Sequence, residues 1–440
     1  MPHGLPRRSA LGLLLGAAGA AALGGVAACS SDDDKTTATP EETGPVELVY
    51  WTWAPNMDKI AEVWNKANPN IKVTISNQGG GNESAAKFLT AAKAGNAPDI
   101  MQAEYQMLPS FVAAEAVADI KSLVSGAKSA FSDGLWGLVT LGTDAVYGLP
   151  QDSGPMGLFY RVDLLEKYGV AVPKTWDEYA AAARKVHAAD KSVYFGGFSN
   201  KDGGWFAGLS QQAGGQWWSI AGDTWKVGIN DAATTKVAEF WGGLVKDGVV
   251  DTQAWWSNEW NAAFTNGKLL TWCSAVWAPG VLSSNVPSTK GKWAMAPLPQ
   301  WTAGESFSGF WGGSAASISA SSKHKSAAAK FLTWLNTDPA AVDLLVKQAQ
   351  VYPAASAGQS SLTTPPEYFS NQASFWKDAA AISSGARGFT FGPNVNAAYT
   401  AYEDSFGKAI QAKSSFTDAL TSVQQATIAD MTKAGFKVAS

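Results

Sequence analysis

The sequence predicts an α/β protein whose sheets are mostly parallel and flanked by helices. Strand-like and helical segments alternate from residue 46 onward, and no fixed-period repeat interrupts them. The 440 residues, 46% of them hydrophobic, suffice for about two to three cores of ordinary domain size. Val46, Val49, Tyr50 and Trp51 give 46–51 the composition of a strand, 57–67 has helical spacing, and 71–75 alternates with period two. A helix over 84–94 and a short strand over 97–101 follow. Pro173-Lys174-Thr175-Trp176-Asp177-Glu178 is a helix start, with Thr175 as cap and Glu178 completing a capping box, so a helix is expected over 176–188. Further helices are expected over 234–245, 326–335 and 340–349, and one long helix in the last forty residues.

Composition narrows the chemistry. Lys plus Arg number 33 against 37 Asp plus Glu, so a polyanion-binding surface, and with it nucleic acid, is not expected. Two Cys and three His leave no material for a Cys/His metal cage; neither metal nor cofactor is expected. No G-x-x-x-x-G-K-[ST], G-x-S-x-G, H-E-x-x-H or C-x-x-C occurs. Gly79-Gly80-Gly81 precedes Asn82-Glu83, an acid that would repel phosphate, and reads as a loop. His187 and His324 read as solvated surface residues.

The first residues resemble a bacterial lipoprotein signal: Arg7 and Arg8, an apolar run over 11–26, then Ala27-Ala28-Cys29 and the acidic Asp32-Asp33-Asp34. The resemblance implies cleavage after residue 28, lipid on Cys29, and a flexible tether over 29–45 holding the protein at the outer face of the cell membrane. Arg7-Arg8 with Leu11 also resembles a twin-arginine signal, and both export routes stay open. With Cys29 acylated, Cys273 has no disulfide partner; in the apolar run Leu269-Leu270-Thr271-Trp272-Cys273 it reads as a small core residue.

Further motifs, in order, resemble one family. They are Tyr50-Trp51-Thr52-Trp53, Asn68-Pro69-Asn70, Ala97-Pro98-Asp99-Ile100, Tyr147-Gly148-Leu149-Pro150, Tyr160-Arg161-Val162-Asp163, Phe264-Thr265-Asn266-Gly267-Lys268 and Ala296-Pro297-Leu298-Pro299, then Gly312-Gly313. Spread over about 350 residues, the series resembles the extracellular solute-binding proteins of the maltose-binding type. That resemblance implies a two-lobed periplasmic-binding-protein fold of type II with hinges near 149–153, 307–313 and 350–354. Lobe one would comprise 46–150 plus 313–350, and lobe two 151–312 plus 351–440. It also implies a monomer that hands an oligosaccharide to ABC permease subunits by hinge closure. Arg161 stands where such proteins commonly carry Asn, and is expected to affect local turn geometry only.

Tryptophan is the unusual count: 20 in all, 13 of them between Trp205 and Trp311. Trp217-Trp218 and Trp255-Trp256 put adjacent rings on opposite sides of an extended segment, so one of each pair is expected to face a cleft or solvent. Aromatic faces stack on the C–H patches of sugar rings while carboxylates and amides take the hydroxyls; for any single Trp, core packing is the competing reading. The resemblance places Trp53, Glu104, Tyr105 and Asp152 at the cleft, with Trp205 and Trp277 as stacking rings from the second lobe and Trp311-Gly312-Gly313 at the second hinge. Glu83, Trp256, Glu259 and Tyr399 are further candidates for ligand binding. Asp58, Asp163 and Asp177 read as helix-start or turn residues. Several ring-sized platforms point to a di- to tetrasaccharide. An alternative is a lipid-anchored glycoside hydrolase or lyase using carboxylates such as Asp152 and Glu259. Peptides, polyamines or metal chelates are a third class of ligand, and the Trp content argues against the last two.

Overall fold

The structure, a computed structural model, describes residues 44–349 and 351–439. The export signal, Cys29 and all but the last two residues of the tether lie outside the described residues. Strands β1 (Val46–Trp51), β2 (Ile71–Ser76) and β3 (Ile100–Glu104) pair in parallel, in the order β2-β1-β3. The helix Met57–Ala67 connects β1 to β2 and buries Met57, Ile60, Ala61 and Trp64, the i, i+3, i+4, i+7 stripe that fixes its inward face. The helix Gly81–Ala94 connects β2 to β3, and the strand expected over 97–101 begins only at Ile100.

The remaining strands are β4 (Leu149–Arg161), β5 (Trp218–Ala221), β6 (Thr224–Val227), β7 (Thr271–Ala275), β8 (Trp293–Pro297), β9 (Phe310–Ile318) and β10 (Lys437–Val438). β9 runs antiparallel to β3, from Glu104↔Ser314 to Ile100↔Ile318, and antiparallel to the first half of β4. The second half of β4 pairs antiparallel with both β7 and β8. Two long strands thus pass from one group of strands to another. A third crossing segment joins them, with Ser153 N–H donating to Tyr352 O at 2.9 Å and Ala354 N–H to Gln151 O at 3.2 Å. The helix-flanked α/β class holds, but among the named strands of the described residues only β1–β2, β1–β3 and the short β6–β10 pair are parallel, with isolated parallel bridges such as Tyr194↔Leu269 and Gly197↔Asp251 besides. The alternation of strands and helices foretells parallel neighbours only where a helix returns the chain to the same edge, and β4 and β9 instead cross as an opposed pair.

Most helices fall where the periodicity put them, including Trp176–Ala189, Ala232–Lys246, Lys325–Thr337 and Pro339–Lys347. Thr175 caps as expected, accepting from Glu178 N–H, while Glu178 Oε2 accepts from Lys174 N–H, one residue before the usual box partner. The single C-terminal helix is a correction: the segment holds two, Val395–Ala412 and Phe416–Lys433. Lys413 takes a left-handed φ of 51° and Ser415 caps the second by accepting from Thr417 and Asp418 N–H. Buried Arg161 donates two bonds to Asp163, a contact within the turn as expected, and one to Phe264 O, 103 residues away, so its reach is wider than the local turn. His187 is half-buried, its Nδ1 3.0 Å from Val193 O and its ring stacked on Tyr194, so it is not a solvated residue. Among the described residues no helix is long and apolar enough to cross a membrane.

Tryptophan fills the second group of strands and helices. Trp176, Trp205, Trp217, Trp218, Trp241, Trp260 and Trp293 are fully buried. Trp217 and Trp218 are both sealed, against the expectation that one would be open; Trp255 and Trp256 divide as expected, 5% and 48% exposed. Cys273 is buried on β7, and burial pushes its thiol far above its ordinary range, the state of an inert core residue.

Candidate functional site

Beside the three crossing segments lies a cavity of about 790 Å³. Its floor follows from where strands end. Trp53 stands just past β1 and Glu104 closes β3, at the carboxyl ends where open α/β sheets bind ligands. Asp152 and Ser153 come from β4, and Gly312, Gly313 and Ser314 from β9. Gly312 and Gly313 have φ of 73° and 93°, backbone that favours glycine, and a Cβ on Gly313 would lie 2.9 Å from the Tyr105 ring. At Gly154 a Cβ would lie 2.2 Å from Trp311 O, so the two crossing backbones touch here.

One wall is aromatic. Trp277 and Trp311 lie 4.7 Å apart at 62°, and Trp256 sits 6.3 and 6.0 Å from them. Their orientation is fixed by hydrogen bonds: Trp277 Nε1–H donates to Trp311 O at 2.9 Å, and Trp311 Nε1–H donates to Asp202 Oδ1 at 3.1 Å. That same Oδ1 accepts from Trp205 N–H at 2.9 Å, because Asp202 is the N-cap of the helix Gly203–Ala213. The other walls carry carboxyls held by neutral donors. Asp152 Oδ2 accepts from Ser314 Oγ–H at 2.7 Å and Gln102 Nε2–H at 3.4 Å, and Glu104 Oε2 accepts from Gln106 Nε2–H at 2.8 Å.

The three carboxyl residues are half-buried and line the cavity. Burial, together with the charges of Asp152 and Asp202, pushes Glu104 up to about 7. Burial raises Asp152 to about 6 against the lowering effect of the Ser314 and Gln102 bonds. Asp202 is likewise raised to about 6 by burial, partly offset by Trp205 N–H and the Trp311 indole. Lys201, at the rim, is ion-paired with Glu403.

The cavity gathers Trp53, Glu104, Asp152, Trp256, Trp277, Trp311, Gly312, Gly313 and Tyr399 of the expected residues. Four others lie elsewhere. Trp205 is wholly buried, its Nε1–H donating to Cys273 O, because the helix that Asp202 caps turns its ring into the core. Tyr105 is sealed behind the floor, where its hydroxyl donates to Asp152 O at 2.9 Å. Glu83 is exposed on the helix Gly81–Ala94 and paired with Lys87, four residues on. Glu259, also exposed, borders a separate shallow pocket with Tyr194 and Lys268. Asp152 and Glu259, considered as a hydrolytic pair, therefore share no cavity. Two central residues escaped the sequence reading, Gln102 and Asp202. Asp202 was signalled as an Asp three positions before Trp205, an N-cap pattern. Gln102 sits inside a strand, and no local pattern marks its reach from Thr52 to Ser314.

Two groups of helix-flanked strands, joined by three crossing segments beside a recessed cavity, define a solute-binding receptor of the two-lobed type II class. The family model for bacterial extracellular solute-binding proteins matches residues 50–342. This chain belongs to that family, whose members are receptors and not enzymes. It is 24% identical over 308 residues to the arabinooligosaccharide-binding protein of Bacillus subtilis (strain 168), covering 67% of this chain and 70% of that one. Among solved structures it is similar to the galacto-N-biose/lacto-N-biose I-binding protein of the ABC transporter from Bifidobacterium longum in complex with lacto-N-biose: TM-score 0.81, 27% identity, 91% of this chain and 100% of that one. It is also similar to an ABC transporter associated binding protein from B. animalis subsp. lactis Bl-04 in complex with beta-1,6-galactobiose: TM-score 0.77, 27% identity, 90% and 100% coverage.

Proposed function

We propose that this receptor captures a di- to tetrasaccharide in the cavity and hands it to the permease subunits of an ABC importer. The observation that carries the reading is the pairing of an aromatic wall, Trp256, Trp277 and Trp311, with hydrogen-bonding groups on Gln102, Glu104, Asp152 and Asp202. A sugar needs both, flat apolar surface for its ring faces and acceptors for its hydroxyls. Sugar-binding relatives support it. The lobes are 46–150 with 313–350 and 151–312 with 351–440; Tyr50 and Trp64 packing on Phe331 supports grouping the helix Lys325–Thr337 with β1. Lipid on Cys29 holds the receptor at the outer face of the membrane, where it acts as a monomer. A tryptophan-fluorescence screen against α- and β-linked oligosaccharides tests the binding, since the four cavity tryptophans would report it. Absence of any response from folded protein across the panel would reject it. Release of new reducing ends from a bound sugar would revive the hydrolase alternative. Fractionation of cells producing Cys29→Ser tests the anchor: release from the membrane is expected, and unchanged retention counts against lipidation.

A further inference from the structure

The charges lining the cavity do not balance. Glu104, Asp152 and Asp202 all line it, and their hydrogen-bond partners among the described residues are neutral: amides, a hydroxyl, an indole and backbone N–H groups. Lys201 is the one cationic side chain among the described lining residues, and Glu403 holds it at the rim. The three carboxyls open onto one cavity, and the charges of Asp152 and Asp202 both bear on Glu104. Among the described residues, however, no three His, Cys, Asp or Glu side chains are grouped so as to hold a metal ion. A neutral sugar would satisfy these oxygens with hydroxyls yet leave the negative charges uncompensated in a recessed site. An ammonium would both donate to them and neutralise part of that charge, and the faces of Trp256, Trp277 and Trp311 attract a cation as well. Ser153, 2% exposed, also lines the cavity, and its buried hydroxyl has no hydrogen-bond partner among the described residues.

We propose that the saccharide this cavity takes carries a protonated amino group, seated among Glu104, Asp152 and Asp202 beside the tryptophan wall. The inference rests on the oligosaccharide reading and names the class of sugar within it. The test is a fluorescence titration at neutral pH with paired probes. Di- to tetrasaccharides of α- and β-linked glucose and galactose are each set against the same backbone built from glucosamine or galactosamine. At least one amino sugar is expected to bind tenfold or more tightly than its neutral partner. Glu104→Gln and Asp202→Asn should bring that ratio toward one, whereas a merely structural role would weaken both partners equally and leave the ratio unchanged. If either variant fails to fold, the wild-type ratio still decides. Neutral sugars that bind while their amino partners bind no better overturn this proposal and leave the oligosaccharide reading standing. Silence from every probe overturns both.

Discussion

Asp202 does two things with one carboxyl oxygen. It closes the N-terminus of the helix Gly203–Ala213, and it accepts the Trp311 indole N–H, anchoring that ring at the cavity wall. The sequence resemblance pointed three residues further on, to Trp205, because a tryptophan after two glycines looks like a stacking ring; the cap that precedes it faces the cavity instead. Glu104 carries the chief electrostatic consequence. With Glu104 raised to about 7 and Asp152 and Asp202 to about 6, the folded protein holds protons that the unfolded chain has released between about pH 4 and 7. These groups therefore lower stability as pH rises through that window, the opposite sign to an ion-paired carboxylate. Glu104→Gln should leave stability near pH 4 almost unchanged and raise it at pH 7.5 by up to about 3 kcal/mol, since one pKa unit is about 1.4 kcal/mol. Urea unfolding at the two pH values reads this out, and an unaltered pH slope would refute it. Trp256 gives the complementary case. It is 48% exposed with φ of 67°, a left-handed conformation costly for a side chain. Trp256→Gly should remove a wall ring and weaken sugar binding about tenfold, while unfolding free energy stays within about 1 kcal/mol because relieved strain offsets lost packing. A large drop in melting temperature would show that ring to be structural.

At the scale of elements, the crossing of β4 and β9 constrains the site most. Gly154 lies where the strands touch backbone to backbone, in the stretch where β4 shifts register. A methyl there meets a carbonyl oxygen that no rotamer change can move. Gly154→Ala should therefore cost at least about 2 kcal/mol and perturb Trp277 and Trp311 together, visible as lower thermal stability with altered tryptophan emission. Wild-type stability in this variant would mean the crossing yields freely. The ends of single elements are gentler: Ser415→Ala, removing the cap of Phe416–Lys433, should cost about 1 kcal/mol. Periodicity made the helices around the first sheet legible, since Met57, Ile60, Ala61 and Trp64 announce their own buried face. It failed at Lys413, where a non-glycine takes the left-handed turn, and for β4 and β9, whose antiparallel pairing depends on partners over 150 residues apart. The tryptophan excess misled in the same way. A ring that packs on other rings and a ring that waits for a sugar are one residue type, and only the tertiary fold separated Trp217 and Trp218 from Trp277 and Trp311.

At the scale of the molecule, the cavity draws its walls from both groups of strands. Trp53, Gln102 and Glu104 lie on the side of β1 and β3, while Asp202, Trp256, Trp277 and Tyr399 belong to elements beyond the crossing. A ligand touching both sides favours the arrangement that brings them together, by no more than its differential contacts with the closed and open forms. Hinge closure is the general behaviour of periplasmic binding proteins, and three slender crossing segments are suited to it. Small-angle scattering should then show the radius of gyration falling when the best saccharide of the screen is added to saturation. Trp277→Ala removes contacts from one side only, so it should weaken binding by about ten- to a hundredfold and, once saturated, show a smaller contraction than wild type. The two readouts separate two roles. A ring that only added affinity would lower the binding constant and leave the full contraction at saturation. A ring that holds the lobes together must diminish both, and a wild-type protein that binds sugar with no change in dimensions would remove closure from the mechanism altogether.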